Sequence, residues 1–99
     1  MSKYRRAAKV DDNQYLIVSM LREIPGVSVS VSHDDILVGY KGKTYWYEIK
    51  SIRAVSKKTG NILESEIKDS QKELRSTFKG HYKIVSSLTE ILEDIGIIL

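Results

Sequence analysis

Residues 34–50 read Asp-Asp-Ile-Leu-Val-Gly-Tyr-Lys-Gly-Lys-Thr-Tyr-Trp-Tyr-Glu-Ile-Lys. β-Branched and aromatic residues occupy both sides of the central Lys41-Gly42 pair, which predicts two strands joined by a two-residue turn. Counting back along both strands from such a turn places Asp35 directly opposite Glu48. The stretch therefore predicts a β-hairpin with two carboxylates facing each other at its open end.

A lysine joins this pair of acids. Side chains two positions apart on a strand share a face, so Lys50 lies on the same face as Glu48. Directly opposed residues have β-carbons roughly 5 Å apart, and two carboxylates facing each other in this way repel unless a cation lies between them. Hard oxygen ligands suit Mg²⁺. The residues alone therefore predict a magnesium site with an amine beside it.

This pattern of charged residues resembles the PD-(D/E)XK nuclease superfamily. In that superfamily an acidic residue opens one strand, and a Glu-x-Lys sequence ends the next strand. Here the acidic motif reads Asp34-Asp35, with Asp34 where the proline usually stands, and the second motif reads Glu48-Ile49-Lys50.

The residues around these motifs point to one group within this superfamily. The chain resembles the small stand-alone VRR-NUC proteins common in phages. The features that carry this resemblance are the run at residues 35–42, the Glu-Ile-Lys strand, and a helix with Gln71 that leads to Gly80 and a further strand. The resemblance covers about residues 5–95. It implies a location in the cytoplasm of a bacterium or of a phage-infected cell.

The fold that we expect is an α/β domain with a mixed central sheet. The resemblance implies a restriction-endonuclease-like αβββαβ core, and the sequence patterns add an inserted β-hairpin and a C-terminal helix. In such a fold the apolar residues on both faces of the predicted hairpin place it centrally in a sheet that is covered on both sides.

The activity implied by the resemblance is metal-dependent cleavage of phosphodiester bonds in DNA. Asp35, Glu48 and the backbone carbonyl of Ile49 would hold Mg²⁺, with Mn²⁺ able to substitute, while Lys50 positions the attacking water and Gln71 lies near the site. The superfamily includes enzymes that cut branched DNA such as Holliday junctions, usually as homodimers. Two other interpretations stay open: a non-catalytic DNA-binding protein, and an interaction protein in which Lys50 only neutralises Glu48.

The first helical pattern begins at Asp11 and is stopped by Pro25. Asp11 lies on the same stripe as the apolar residue Val18, and two roles are open for it. It is either the N-cap of the helix, or, as the resemblance implies, an acid of the metal site. In the second case Asn13 or Gln14 can share the role.

Basic residues at the start of the chain and in a later loop are candidates for DNA contacts. Residues 1–9 form an arm with Arg5 and Arg6, which is either a solvated terminus or a phosphate-binding segment. Residues 52–66 are absent from short members of the family and predict a hairpin extension. Its tip carries Lys57 and Lys58, and these side chains either are solvated or bind the phosphates of DNA.

The second helical pattern spans residues 69–79. Gln71 lies on its inward stripe with Leu74, and Gly80 fits a C-cap. A separate basic edge of this helix is expected to contact DNA through Lys72 and Arg75.

Length and composition limit the number of domains, the kinds of site and the classes of protein that are possible. The 99 residues predict one domain, 1–99, and the absence of cysteine excludes disulfides and cysteine-based zinc sites. No apolar run approaches the roughly 20 residues of a membrane span, and the start has no signal-peptide core, so a cytoplasmic protein is expected. The net charge of +3 permits nucleic-acid binding without requiring it.

The C-terminal region predicts a last helix, residues 88–95, that is followed by the apolar residues Ile97, Ile98 and Leu99. Exposed apolar residues of this kind either dock on the core or pair with another subunit. We expect a homodimer.

Overall fold

The computed structural model describes residues 13–32 and 35–97. The elements in chain order are α1 (residues 13–22), β1 (Val27–Ser32), β2 (Asp35–Tyr40), β3 (Lys43–Ile49), 3₁₀ turns at Ile52–Ala54 and Glu64–Glu66, α2 (Asp69–Thr77), β4 (Tyr82–Val85) and α3 (Leu88–Ile95). This order agrees with the α/β arrangement predicted from the sequence. No helix among the described residues is long and apolar enough to cross a membrane.

The four strands form one mixed sheet in the order β1-β2-β3-β4. The β1–β2 and β2–β3 pairs are antiparallel, whereas β3 and β4 are parallel. A parallel pair requires a long crossover connection, and here the chain between β3 and β4 includes α2. The predicted hairpin, β2 and β3, therefore lies at the centre of the sheet.

The turn of this hairpin explains its register. Lys41 and Gly42 have φ angles of 53° and 79°, the left-handed geometry of a turn that matches the twist of the flanking strands. Tyr40 consequently pairs with Lys43 at the turn. The sheet register thus follows from two residues that the sequence already marks as a turn.

One face of the sheet carries the hydrophobic core, covered by α1 and α3. Tyr47 is fully buried there, and its hydroxyl donates to Asp94 Oδ2 on α3 at 2.6 Å. Asp94 Oδ2 also bonds His81 Nε2, at 2.5 Å, so one carboxylate ties α3 to β3 and to the start of β4. Burial and the bond to Asp94 raise the pKa of Tyr47. The core consists of Ile17, Val18, Leu21, Ile36, Val38, Tyr47, Ile49, Val85, Ile91, Leu92 and Ile95.

The apolar tail is only partly described. Ile97 is half-buried and packs against the core, whereas Ile98 and Leu99 lie outside the described residues.

The second face is covered over β3 and β4 only, which corrects the expectation of a sheet covered on both sides. Phe78, just after α2, contacts the Trp46 ring edge to face at 5.1 Å. Over β1 and β2 the face is open: Ser28 and Ser30 are exposed, and Leu37 keeps 44% of its surface accessible. Serine and glycine dominate this part of the face, so little apolar surface needs a cover.

Residues 52–66 double back, but they do not form the predicted two-stranded hairpin. Pairing is limited to one antiparallel bridge between Val55 and Ile62. Ser56 Oγ accepts from the backbone N–H groups of Lys58 and Thr59 at 3.2 and 3.3 Å, and this local bonding turns the chain instead of extending it.

Gly80 is not the C-cap of α2, because the helix ends at Thr77 with an extended cap at Phe78. A Cβ atom on Gly80 would lie 2.7 Å from the Phe78 ring. Because glycine has no side chain, the Phe78 ring can lie close to the backbone at this position.

Candidate metal centre

The two predicted acids stand opposite each other at the open end of the hairpin. Asp35 is the first residue of β2, and its partner across the ladder is Glu48 near the end of β3. Glu48 is only 5% exposed, whereas Asp35 is half-buried. The register that the turn imposes thus brings both carboxylates to one end of the sheet, on its second face.

Trp46 fixes the orientation of Asp35. The indole Nε1–H donates to Asp35 Oδ2 at 3.0 Å, which leaves the other carboxylate oxygen free of this bond. The indole is held by edge-to-face contacts with Tyr82 and Phe78, with ring centroids 4.8 and 5.1 Å away. This bond was not predicted from the sequence, although Trp46 lies two residues before Glu48 and is therefore a diagonal neighbour of Asp35.

The backbone carbonyl of Ile49 points to the β2 side of β3, away from β4. The Lys50 N–H donates to the Val85 carbonyl on β4 at 2.8 Å. In a trans peptide the C=O and the following N–H point in opposite directions, so the Ile49 carbonyl faces β2, the strand of Asp35. The Lys50 side chain is half-buried, and the ion pairs among the described residues do not include it.

Asn13 fastens the first helix to this end of the sheet. Its amide Nδ2 donates to the carbonyls of Lys50 and Ser86 at 2.8 and 2.9 Å, so both N–H bonds of the amide are used. Those two carbonyls follow β3 and β4, which places the start of α1 at the same end of the sheet as the acidic pair. The predicted residues Arg5, Arg6 and Asp11, the arm of residues 1–9 and Asp34 lie outside the described residues.

Tyr82 adds a hydroxyl that the sequence did not point to. Its oxygen is buried and has no hydrogen-bond partner among the described residues. Burial, followed by the negative charges of Glu48 and Asp35, raises the pKa of Tyr82 to about 12. The phenol is therefore a neutral donor at physiological pH. Tyr82 pairs with Trp46 across the parallel ladder, which explains its position.

Gln71 is buried, as its place on the inward stripe predicted, but its amide oxygen forms a hydrogen bond at the start of α2 itself. It accepts from the Lys68 backbone N–H at 3.0 Å and so caps the start of the helix. This bond explains how a buried amide is stabilised at that position.

The predicted basic contacts divide into two groups. Lys57 and Lys58 are exposed in the loop of residues 56–61, and Lys72 is half-buried. Arg75, in contrast, forms a two-pronged ion pair with Glu64, with N–O distances of 3.0 and 3.2 Å. That hydrogen-bonded pair lowers the pKa of Glu64 and ties the inserted segment to α2.

Two carboxylates and one carbonyl make a small ligand set. Among the described residues, no group of three or more His, Cys, Asp or Glu side chains converges in an arrangement suited to a metal ion. Mg²⁺ is usually bound by one or two carboxylates and keeps several waters, so the acidic pair with the Ile49 carbonyl suits this ion.

A cleft of about 370 Å³ beside Asp35 opens toward solvent; its lining includes Ser30, Ser32, Leu37 and Trp46.

Comparison of the chain with protein-family models, with curated proteins and with solved structures finds no match.

Proposed function

We propose that this protein is a metal-dependent DNA endonuclease that uses Mg²⁺, or Mn²⁺ in its place, to hydrolyse phosphodiester bonds. The observation that carries the proposal is the direct pairing of Asp35 with Glu48, with Lys50 two residues further along the chain from Glu48. Two carboxylates held face to face repel unless a cation lies between them, and an amine beside them suits a reaction at a phosphate.

In this proposal the Asp35 and Glu48 carboxylates and the Ile49 carbonyl would hold the metal. The bound metal supplies an activated water and neutralises charge on the phosphate. Lys50 stabilises the extra negative charge that develops on the phosphate oxygens, acting as a compact point charge. Trp46 keeps Asp35 in one orientation, because its N–H occupies a single carboxylate oxygen.

A second observation supports a bound ligand at this place independently of the acidic pair. The Tyr82 hydroxyl is a buried donor without a partner among the described residues, and its side chain lies on the same face of the sheet as both carboxylates. Buried polar groups are nearly always hydrogen-bonded in folded proteins. An oxygen atom bound at the acidic pair would satisfy it.

The resemblance to PD-(D/E)XK nucleases extends the proposal to branched DNA, such as Holliday junctions, and to a homodimer with two active sites. The outer side of α1 supplies apolar surface for association, since Tyr15, Leu16 and Met20 are 70%, 58% and 54% exposed. A location in the cytoplasm of a bacterium or of a phage-infected cell belongs to the same proposal.

The direct test is to incubate the purified protein with linear, nicked, flap and four-way DNA in Mg²⁺ or Mn²⁺, with a chelator as control. Metal-dependent cleavage of any of these substrates supports the proposal. Tight DNA binding without cleavage, together with no effect of the metals on the unfolding temperature, would instead favour the non-catalytic DNA-binding protein.

The exposed loop of residues 56–61 gives a prediction about DNA affinity. Lys57→Ala combined with Lys58→Ala should weaken DNA binding and reduce the slope of log affinity against log salt by up to about two units. Cleavage at saturating DNA should change little, because the loop lies outside the acidic site. The paired Lys57→Arg and Lys58→Arg variant keeps both charges and should keep the wild-type slope; equal slopes in all three proteins would show that the loop does not contact phosphate.

The indole of Trp46 gives a prediction about metal affinity. Trp46→Phe keeps an aromatic ring but loses the N–H that orients Asp35, and it should weaken Mg²⁺ binding by roughly 10- to 100-fold. Calorimetric titration measures the dissociation constant. Phe78→Leu is the matched control, because Phe78 packs on the same indole but has no hydrogen-bond donor to offer Asp35; a similar loss in both variants would assign the effect to packing alone.

A further inference from the structure

The hydroxyl of Tyr82 is the one buried side-chain polar atom of the described residues that lacks a hydrogen-bond partner. Leaving a buried donor unpaired destabilises the folded protein, since the group loses its bond to water and gains none in return. A phenylalanine at this position would avoid that loss while keeping the ring contacts. The presence of the hydroxyl therefore indicates a role beyond packing.

The position of Tyr82 indicates what that role is. Its ring lies edge to face against Trp46, with centroids 4.8 Å apart, and Trp46 in turn bonds Asp35. Two residues further along β4, Ile84 pairs with Glu48. Tyr82 thus lies beside the acidic pair on the same face of the sheet.

A tyrosine hydroxyl keeps its proton at neutral pH and can therefore act as a hydrogen-bond donor. The hydroxyl makes no hydrogen bond to either carboxylate. An acceptor oxygen placed at the acidic pair is the kind of partner that this geometry fits.

We propose that Tyr82 is a ligand-positioning residue whose hydroxyl donates a hydrogen bond to an oxygen atom held at the Asp35–Glu48 pair. That oxygen belongs either to a water on the bound metal or to a phosphate group. The inference rests on the proposed function, because it requires a metal site at the two acids. It adds to that function a donor on β4, outside the hairpin that carries the acids.

Tyr47 supplies a matched control for the test. Both tyrosines lie on strands and lose only a hydroxyl when changed to phenylalanine, but the Tyr47 hydroxyl has a protein partner, Asp94, on the opposite face of the sheet. Tyr47→Phe should therefore lower the unfolding temperature of the metal-free protein. Tyr82→Phe should leave that temperature unchanged or raise it, because it replaces an unpaired polar group with an apolar one.

The decisive measurement is thermal unfolding over a Mg²⁺ titration, with and without inorganic phosphate, for the wild type and both variants. Tyr82→Phe should weaken the apparent Mg²⁺ or phosphate affinity by roughly 3- to 10-fold, the range expected for one hydrogen bond, while Tyr47→Phe keeps the wild-type affinities. A loss seen with Mg²⁺ alone assigns the acceptor to a metal-bound water. A loss seen only after phosphate is added assigns it to a phosphate oxygen.

Two results would overturn the inference. Wild-type affinities in Tyr82→Phe, or a metal-free destabilisation as large as that of Tyr47→Phe, would reject the donor role and leave the proposed nuclease function standing. A wild-type protein whose unfolding temperature does not respond to Mg²⁺ would reject the metal site, and with it both proposals.

Discussion

Asp35→Asn should abolish DNA cleavage, and so should Glu48→Gln. Each change removes one of the two charges that we propose hold the metal, while the side chain keeps its shape and an oxygen acceptor. The Asp35→Asn variant retains an acceptor for the Trp46 N–H, so its fold should be preserved. DNA binding should stay equal or become slightly tighter, because a charge that repels phosphate is lost.

The measurement is cleavage of end-labelled DNA beside a gel-shift assay of affinity. Glu93→Gln is the control, because it removes the same charge from an exposed position on α3. Unfolding temperatures of all variants without metal separate loss of chemistry from loss of fold. Full cleavage by either Asp35→Asn or Glu48→Gln would remove the acidic pair from the active site.

Lys50→Ala should lower the cleavage rate at saturating DNA by at least about 10²-fold. This is the usual cost of removing one group aimed at charge that develops in the transition state. The change should leave the unfolding temperature nearly unaltered, because Lys50 forms no ion pair with another described residue.

Lys43→Ala, at the other end of the same strand, is the matched control and should cleave at the wild-type rate. The opposite pattern, persistent cleavage with a marked fall in unfolding temperature, would mean that Lys50 is a structural counter-charge. Single-turnover kinetics measure the chemical step directly and keep it apart from DNA binding.

The hairpin was predictable from the sequence because all of its determinants are local. A two-residue turn with glycine selects one register, and that register puts Asp35 opposite Glu48 without help from the rest of the chain. The α/β order of the elements and the mixed sheet also agree with the expectation, which came from the helix and strand patterns together with the resemblance.

What the sequence did not predict depends on contacts between distant residues. Tyr82 shares a face of the sheet with the acids only because β4 pairs in parallel with β3, and the Asn13 amide reaches two carbonyls that are far away in sequence. The inserted segment was wrongly expected to form two strands, since the Ser56 hydroxyl bonds that turn it compete locally with the ladder. Gly80 was assigned to a helix cap because the contact with the Phe78 ring is not visible in a pattern.

The turn at Lys41-Gly42 and the segment after Lys50 differ in how they tolerate changes of length. Adding or deleting one residue at the turn would slip the register of one strand and send each of its side chains to the opposite face, which separates the two acids. Residues added after Lys50 leave that register untouched, since both acids and the lysine already lie on one hairpin. Residues 52–66 therefore lie where this fold can gain new binding surface through insertion, whereas the turn has a fixed length.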